Sequence, residues 1–155
     1  MKGNEKILAT LNNLLSDELT AISQYMVHTE MCDNWQFEKL GKVVEERAIT
    51  EMKHAEKLIA RILFLDGTPI VSNLKKINIG ATIEAQFDND LAAEYGAVKS
   101  YNEAVRLAYE LNDNGSRELL DSILTDEEDH VDWLEAQMDQ VKMMGIQAYL
   151  VEQLG

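Results

Sequence analysis

Six carboxylate and imidazole side chains recur at regular spacing in this sequence of 155 residues. They are Glu18, Glu51, His54, Glu94, Glu127 and His130, and we refer to them as the Glu/His set. Four of them form two Glu-x-x-His pairs, a spacing that puts both side chains on one face of a helix. Carboxylate oxygens with one imidazole per metal suit iron or manganese, whereas zinc could bind but could not do redox chemistry. The set predicts a carboxylate-bridged dinuclear metal centre, with its six residues as both metal ligands and catalytic residues.

The same spacing divides the chain into two halves. Glu18, Glu51 and His54 each have a partner of the same type 76 residues later, and so does Tyr25. The chain is therefore predicted to be two helical hairpins related by a pseudo-twofold axis. In that arrangement Glu18 and His54 are terminal ligands of one metal and their partners are terminal ligands of the other. Glu51 and its partner bridge the two metals.

Long helices must position these side chains, because one Pro and eight Gly leave few helix breaks. Apolar residues recur at steps of three and four, a helical period. This predicts helices over 5–33, 37–66, 82–111 and 117–143, a short fifth helix near 146–153 and one long connection at 67–81. Ser116, after an Asn-Asp-Asn-Gly run, is the expected N-cap of the fourth helix. The prediction is an all-α, ferritin-like four-helix bundle with a long B–C crossover, a single domain over residues 1–155.

Each long helix places a Glu of the set on its apolar stripe. A buried, unpaired carboxylate costs several kcal/mol or takes up a proton. Metal binding would neutralise the cluster, since two divalent ions balance four carboxylates. The alternative is a core whose carboxylates are paired or protonated without metal.

Composition excludes several classes of protein. Fourteen Lys and Arg against 28 Asp and Glu give a net charge of −14 and no basic stripe, so no nucleic-acid partner is expected. No apolar run approaches the roughly 18 residues that cross a membrane. The single Cys32 excludes an internal disulfide and a tetra-cysteine metal site. A cytoplasmic location is expected.

Several longer motifs resemble those of the bacterioferritins. They are DELTAISQY from residue 17, EMKHAEKLIARILFLDG from residue 51, LTDEEDHVDWLE from residue 124 and GIQAYL from residue 145. The resemblance covers the whole chain and implies iron storage, with two iron ions per subunit oxidised by dioxygen or hydrogen peroxide at the Glu/His set. It also implies a shell of 24 subunits around a ferric mineral, haem b held between two subunits by Met52 from each, and a ferredoxin as electron donor for iron release.

Met52 and Tyr25 have more than one possible role. Met52 lies about 100° around the helix from Glu51, on a second apolar edge that implies burial against another subunit. It is a haem ligand there, as the resemblance implies, or simply fills the interface. Tyr25 lies two turns beyond Glu18 and is a hydrogen-bond donor to a metal ligand, an electron donor or a core side chain. His28 falls outside the set and is expected at the surface or at an interface.

The sequence departs from the family pattern near Glu51. Bacterioferritins usually carry an acid at the position of Arg47, which could pair with Glu51 and alter how iron enters or leaves. Glu46 and Thr50 stand where some members carry the His and Asp of an extra inner-surface iron site, so that site is not expected here. The remaining alternatives are a haem-free ferritin, a di-iron peroxidase or oxygenase, and a structural helical assembly with zinc or no metal in the site.

Overall fold

The computed structural model describes residues 1–155 and contains five helices and no strand. The helices are Glu5–Asn34 (α1), Glu38–Phe64 (α2), Ile83–Glu110 (α3), Asn114–Met144 (α4) and Ile146–Val151 (α5). The predicted all-α bundle with a long connection before α3 is confirmed. Helix α4 begins three residues earlier than expected, because the N-cap is Asp113 and not Ser116. The Asp113 carboxylate accepts hydrogen bonds from the backbone N–H of Ser116 at 3.0 Å and from its hydroxyl at 2.6 Å.

The two hairpins have the predicted internal repeat. Helix α1 packs along α2 and α3 packs along α4, and α1 also contacts α3. The hairpin turns pass through Gln36 and Asn112, which are 76 residues apart and have φ angles of 63° and 57°. Matching left-handed residues thus reverse the chain at the same point of each half. None of the helices is long and apolar enough to cross a membrane.

The buried core consists of two apolar clusters with the Glu/His set between them. Along α1, the residues from Ile7 to Leu15 belong to one cluster and those from Tyr25 to Cys32 to the other. Glu18 lies between them. The same order holds on the other three long helices, so all four cross a single buried polar level at the same height.

The long connection has no regular secondary structure and lies along a polar stripe of α1. The stripe recurs every fourth residue and consists of Asn12, Ser16, Thr20, Gln24 and His28. Each of its side chains is hydrogen-bonded to backbone of the connection, with partners running in order from Thr68 to Gly80. His28 is therefore fully buried within the chain, and its expected place at the surface or at an interface is wrong. Its Nε2 accepts from the N–H of Gly80 at 3.0 Å, and its Nδ1 lies 2.9 Å from Asp90.

Candidate metal centre

All six residues of the Glu/His set are buried and converge at the polar level. Their side-chain donor atoms form two groups, each with its atoms within 4.8 Å of one another. The first donor cluster consists of Glu18, Glu51, His54 and Glu127, and the second consists of Glu51, Glu94 and His130. Glu51 belongs to both clusters, as expected of a bridging carboxylate, whereas Glu127, the other predicted bridge, belongs only to the first. Every long helix contributes at least one donor, which requires the full bundle to be assembled.

The two imidazoles present the same atom to the centre. Nδ1 of His54 lies 3.1 Å from Glu127 and 3.4 Å from Glu51, and Nδ1 of His130 lies 2.8 Å from Glu94. His54 is oriented from behind, because its Nε2 lies 2.8 Å from a carboxylate oxygen of Asp126. A carboxylate at the far nitrogen fixes the orientation of a metal-binding imidazole and raises its basicity.

Sequence reasoning did not identify Asp126. It directly precedes Glu127, but its partner in the 76-residue repeat is Thr50, so the repeat gave no signal there.

Two buried tyrosines hydrogen-bond the carboxylates. The hydroxyl of Tyr25 donates to Glu94, and the hydroxyl of Tyr101 donates to Glu18 at 2.5 Å. Each bond therefore joins the two hairpins. Burial, with the charge of the adjacent carboxylates, raises the pKa of both phenols well above the usual value. Both hydroxyls remain protonated donors at neutral pH, and Tyr25 also packs edge-on against His130.

A guanidinium enters the cluster from α2. Nη2 of Arg47 lies 2.7 Å from Glu51, 3.0 Å from Glu127 and 3.7 Å from Glu94. Nη1 donates to the backbone carbonyl of Asp126 at 3.2 Å. The pairing with Glu51 that the sequence suggested is present, and the side chain reaches two further carboxylates. Burial alone would lower the pKa of Arg47, but these three carboxylates raise it, so the group stays charged.

The four carboxylates titrate as two pairs. Burial and the neighbouring Glu51 raise the pKa of Glu18 well above its usual value, and burial and Glu94 do the same for Glu127. Burial would also raise the pKa of Glu51 and Glu94. Contacts with the protonated partner and with the adjacent imidazole outweigh burial, however, and lower both values. Within each pair the pKa shifts of the two carboxylates are therefore opposite in direction.

Two basic side chains lie among these carboxylates. Burial would lower the pKa of His54, but contacts with Glu127, Glu18 and Glu51 raise it to about 12. The His54 imidazole and the guanidinium of Arg47 are thus the two groups of the cluster whose positive charge the carboxylates favour. A buried cluster of this size must be balanced in this way, since uncompensated charges cost several kcal/mol each.

The donor set fits two divalent metal ions. Oε2 of Glu18 and of Glu94 is buried without a hydrogen-bond partner, and so is Nδ1 of His130 despite its short distance to Glu94. Buried polar atoms are normally satisfied, and all three of these atoms belong to residues of the two donor clusters. Two divalent ions would supply the missing partners and would balance four ionised carboxylates.

Two clefts reach the centre from different sides. The first, of about 340 Å³, is lined by Asp17, Lys75 and Asn89 near its mouth and by carboxylates of the Glu/His set at its end. The second, of about 240 Å³, contains Arg47 and His130. Small ions and dioxygen therefore need not cross the apolar clusters.

Met52 lies outside the two donor clusters, on an exposed face of α2. Its side chain is 45% exposed, next in sequence to the buried Glu51. Ile49 on the same helix and Met26 on α1 are also exposed, at 41% and 54%. The second apolar edge that the sequence indicated is thus present on the surface of the single chain.

Comparison with known proteins gives consistent matches over almost the whole chain. Residues 8–144 match the family model of the ferritin-like domain. Bacterioferritin from Mycolicibacterium paratuberculosis is 40% identical over 149 residues, which covers 96% of this chain and 94% of that protein. Bacterioferritin from Rhodobacter capsulatus is 43% identical, with 96% and 92% covered. The solved structure of Mycobacterium tuberculosis bacterioferritin BfrA superposes with a TM-score of 0.98 at 37% identity, covering 100% of this chain and 98% of that one.

Proposed function

The chain belongs to the bacterioferritin family of ferritin-like iron-storage proteins, and from that premise we propose that it oxidises ferrous iron at the Glu/His set. The convergence of four carboxylates and two Nδ1 atoms at one buried level is the observation that carries this proposal. Iron is the substrate, and the ferric product is stored as a mineral inside the assembled shell.

The protein's contribution is geometry, charge and proton handling. Two ferrous ions give up one electron each; dioxygen with two protons leaves as hydrogen peroxide, or hydrogen peroxide with two protons leaves as two waters. Glu18 and His54 hold one ion, Glu94 and His130 hold the other, and Glu51 with Glu127 bridges them. Tyr25 and Tyr101 keep the terminal carboxylates oriented through their hydroxyl donors. Protons that leave the carboxylates and His54 on metal binding are available for the reduction of the oxidant.

Rapid iron oxidation tests the proposal. Ferrous iron is added without oxygen, the oxidant is mixed in, and the ultraviolet absorbance of ferric iron is followed in time. Glu18→Ala, or Glu51→Ala with Glu127→Ala, should abolish the rapid phase while circular dichroism shows an intact helical fold. Glu56→Ala is the matched control, because Glu56 is an exposed acid on α2 that contacts none of the set. Rapid oxidation in either ligand variant would rule the centre out.

We also propose a haem-bridged assembly in the cytoplasm. In this proposal Met52 from each of two subunits ligates one haem b, 12 such dimers form a shell of 24 subunits, and a ferredoxin supplies electrons for iron release. Met52 is a soft thioether on an exposed apolar edge, and that edge needs a partner surface.

The visible spectrum of the purified protein tests the haem. A sharp Soret band, with resolved α and β bands after reduction by dithionite, is expected for low-spin, six-coordinate haem. Met52→Leu should remove these bands, whereas Met143→Leu, at a side chain that is 78% exposed, should keep them. If the wild-type protein contains no haem even after reconstitution with haem, the chain is a haem-free ferritin and Met52 only packs at an interface.

A further inference from the structure

Arg47 lies on the second donor cluster and not on the terminal carboxylate of the first. Its Nη2 contacts the two bridging candidates Glu51 and Glu127, at 2.7 and 3.0 Å. Of the two terminal carboxylates it reaches only Glu94 of the second cluster, at 3.7 Å, and it lines the same cleft as His130. The side chain is 12% exposed, so the guanidinium is held inside the bundle. A fixed positive charge thus stands beside one of the two positions that a divalent cation would take.

The surroundings of the two clusters differ in a second way. The repeat partner of Arg47 is Ile123, which is buried and apolar, so the first cluster has no matching cation. The imidazole of the first cluster is backed by Asp126, whereas the repeat partner of Asp126 is Thr50. The Thr50 hydroxyl donates at 3.1 Å to its own helix, at the carbonyl of Glu46. The neighbouring residues therefore break the pseudo-twofold symmetry of the ligands. Both differences favour metal binding at the first cluster.

Formal charge separates the two loading steps. One divalent ion with Arg47 in place leaves the four ionised carboxylates one positive charge short, which a single retained proton corrects. Two divalent ions with Arg47 in place leave one positive charge too many among the ions and the protein's own groups. An excess buried charge is costly, so the inward guanidinium opposes binding of the second ion.

We propose that Arg47 is the built-in counter-cation of the second donor cluster. The centre then loads its two divalent ions in a fixed order, first at the cluster that contains His54, and the second ion binds only as the guanidinium leaves. This inference rests on the proposed binding of two ions to the Glu/His set. The affinity of the second, weaker site then determines the concentration of divalent metal at which both sites are occupied.

The structure provides a place for the displaced side chain. Arg47 lines the 240 Å³ cleft together with Glu46 and Asp129, two exposed acids. Rotation about the long, flexible Arg stem would bring the guanidinium from the buried carboxylates to these two. The charge remains paired at the cleft, so displacement exchanges one set of partners for another.

Zinc titration measures the two steps without redox chemistry. Isothermal titration of the metal-free assembled protein with Zn²⁺ should show two ions per subunit, the second binding about tenfold or more weakly, because one nearby charge changes the cation affinity of a carboxylate by that order. Arg47→Gln should tighten the second step about tenfold and leave the first nearly unchanged. The same variant should lower the melting temperature of the metal-free protein by about 5 °C or more, since it strands buried carboxylates. With zinc bound, its melting temperature should match or exceed that of the wild type.

Arg61→Gln is the matched control, an Arg on the same helix that pairs with Asp113 away from the centre. It should lower both melting temperatures alike and leave zinc binding unchanged. An Arg47→Gln protein that folds only with zinc is the extreme form of the expected result. If it does not fold at all, Arg47→Lys, which keeps the positive charge, should fold and should retain a second step about tenfold or more weaker than the first.

Two zinc ions of equal affinity in the wild type, or a second step that Arg47→Gln leaves unchanged or weakens, would overturn the proposal. Absence of zinc binding from both proteins would instead overturn the proposed metal centre itself.

Discussion

Removal of the Asp126 carboxylate should weaken the first metal-binding step and spare the fold. The carboxylate lies 2.8 Å from Nε2 of His54, on the side away from the centre, and touches no other member of the Glu/His set. Loss of such an outer partner typically costs 10- to 100-fold in metal affinity. The Asp126 side chain is 44% exposed, so water can take its place. We therefore expect Asp126→Ala to lower the metal affinity of the first step by about tenfold, or about 1.4 kcal/mol, which is the low end of that range.

Asp126→Asn separates charge from orientation. The amide oxygen can still accept from Nε2, but a neutral hydrogen bond is roughly half as strong as a charge-assisted one. We expect a loss of about threefold, between the wild type and Asp126→Ala. Both variants keep the backbone carbonyl that accepts from Arg47, so that contact is not disturbed.

Competition between the protein and a chromogenic chelator for Zn²⁺ measures these affinities. Asp121→Ala is the control, because it removes an equal charge from an exposed position on the same helix. Equal first-step affinities for Asp126→Ala and Asp121→Ala would refute the role of Asp126 in holding the imidazole.

Four further results are expected. Tyr101→Phe should cost about 1.5–3 kcal/mol in the free energy of unfolding, measured in urea, because it strands a carboxylate oxygen of Glu18. Zinc affinity should rise between about pH 6 and pH 8, because Glu18 and His54 have raised pKa values and must lose protons to bind metal. The released protons should be detectable by calorimetry in buffers of different ionisation enthalpy. An affinity independent of pH would contradict this. Arg47→Glu should change the rate of iron oxidation in stopped-flow mixing, and an unchanged rate would show that the charge at this position does not matter. Leu58→Ala, at a fully buried core position, should cost about 2–5 kcal/mol by thermal unfolding without altering metal stoichiometry.

The bundle was predictable because two regular signals agree. Apolar residues at helical period fix which face of each helix is buried, and the 76-residue repeat fixes which helices are equivalent. A Glu such as Glu94 on an apolar stripe is then conspicuous. Its burial at the level of Glu51 is found in the structure, while metal ligation stays a prediction.

The errors and omissions come from contacts between distant parts of the chain. His28 is polar and outside the set, so the sequence gives no sign that the long connection covers it. Asp126 acts on the imidazole of another helix, and Arg47 reaches three carboxylates through a long side chain whose direction the sequence does not fix. The N-cap at Asp113 was misplaced by three residues because Asp, Asn and Ser all cap helices well.

The polar stripe on α1 also determines the position of the second hairpin along the bundle axis. Its side chains meet the connection at successive steps of four helical residues, about 6 Å apart, and from Ile70 to Gly80 each contact falls two or three residues after the one before. An insertion or deletion between Thr68 and Gly80 would leave some of these pairings out of step or force a bulge. The start of α3 would then shift along the bundle, and Glu94 would no longer meet Glu51 at the same height. Length variation in this surface segment should therefore be tolerated far less than its lack of secondary structure suggests.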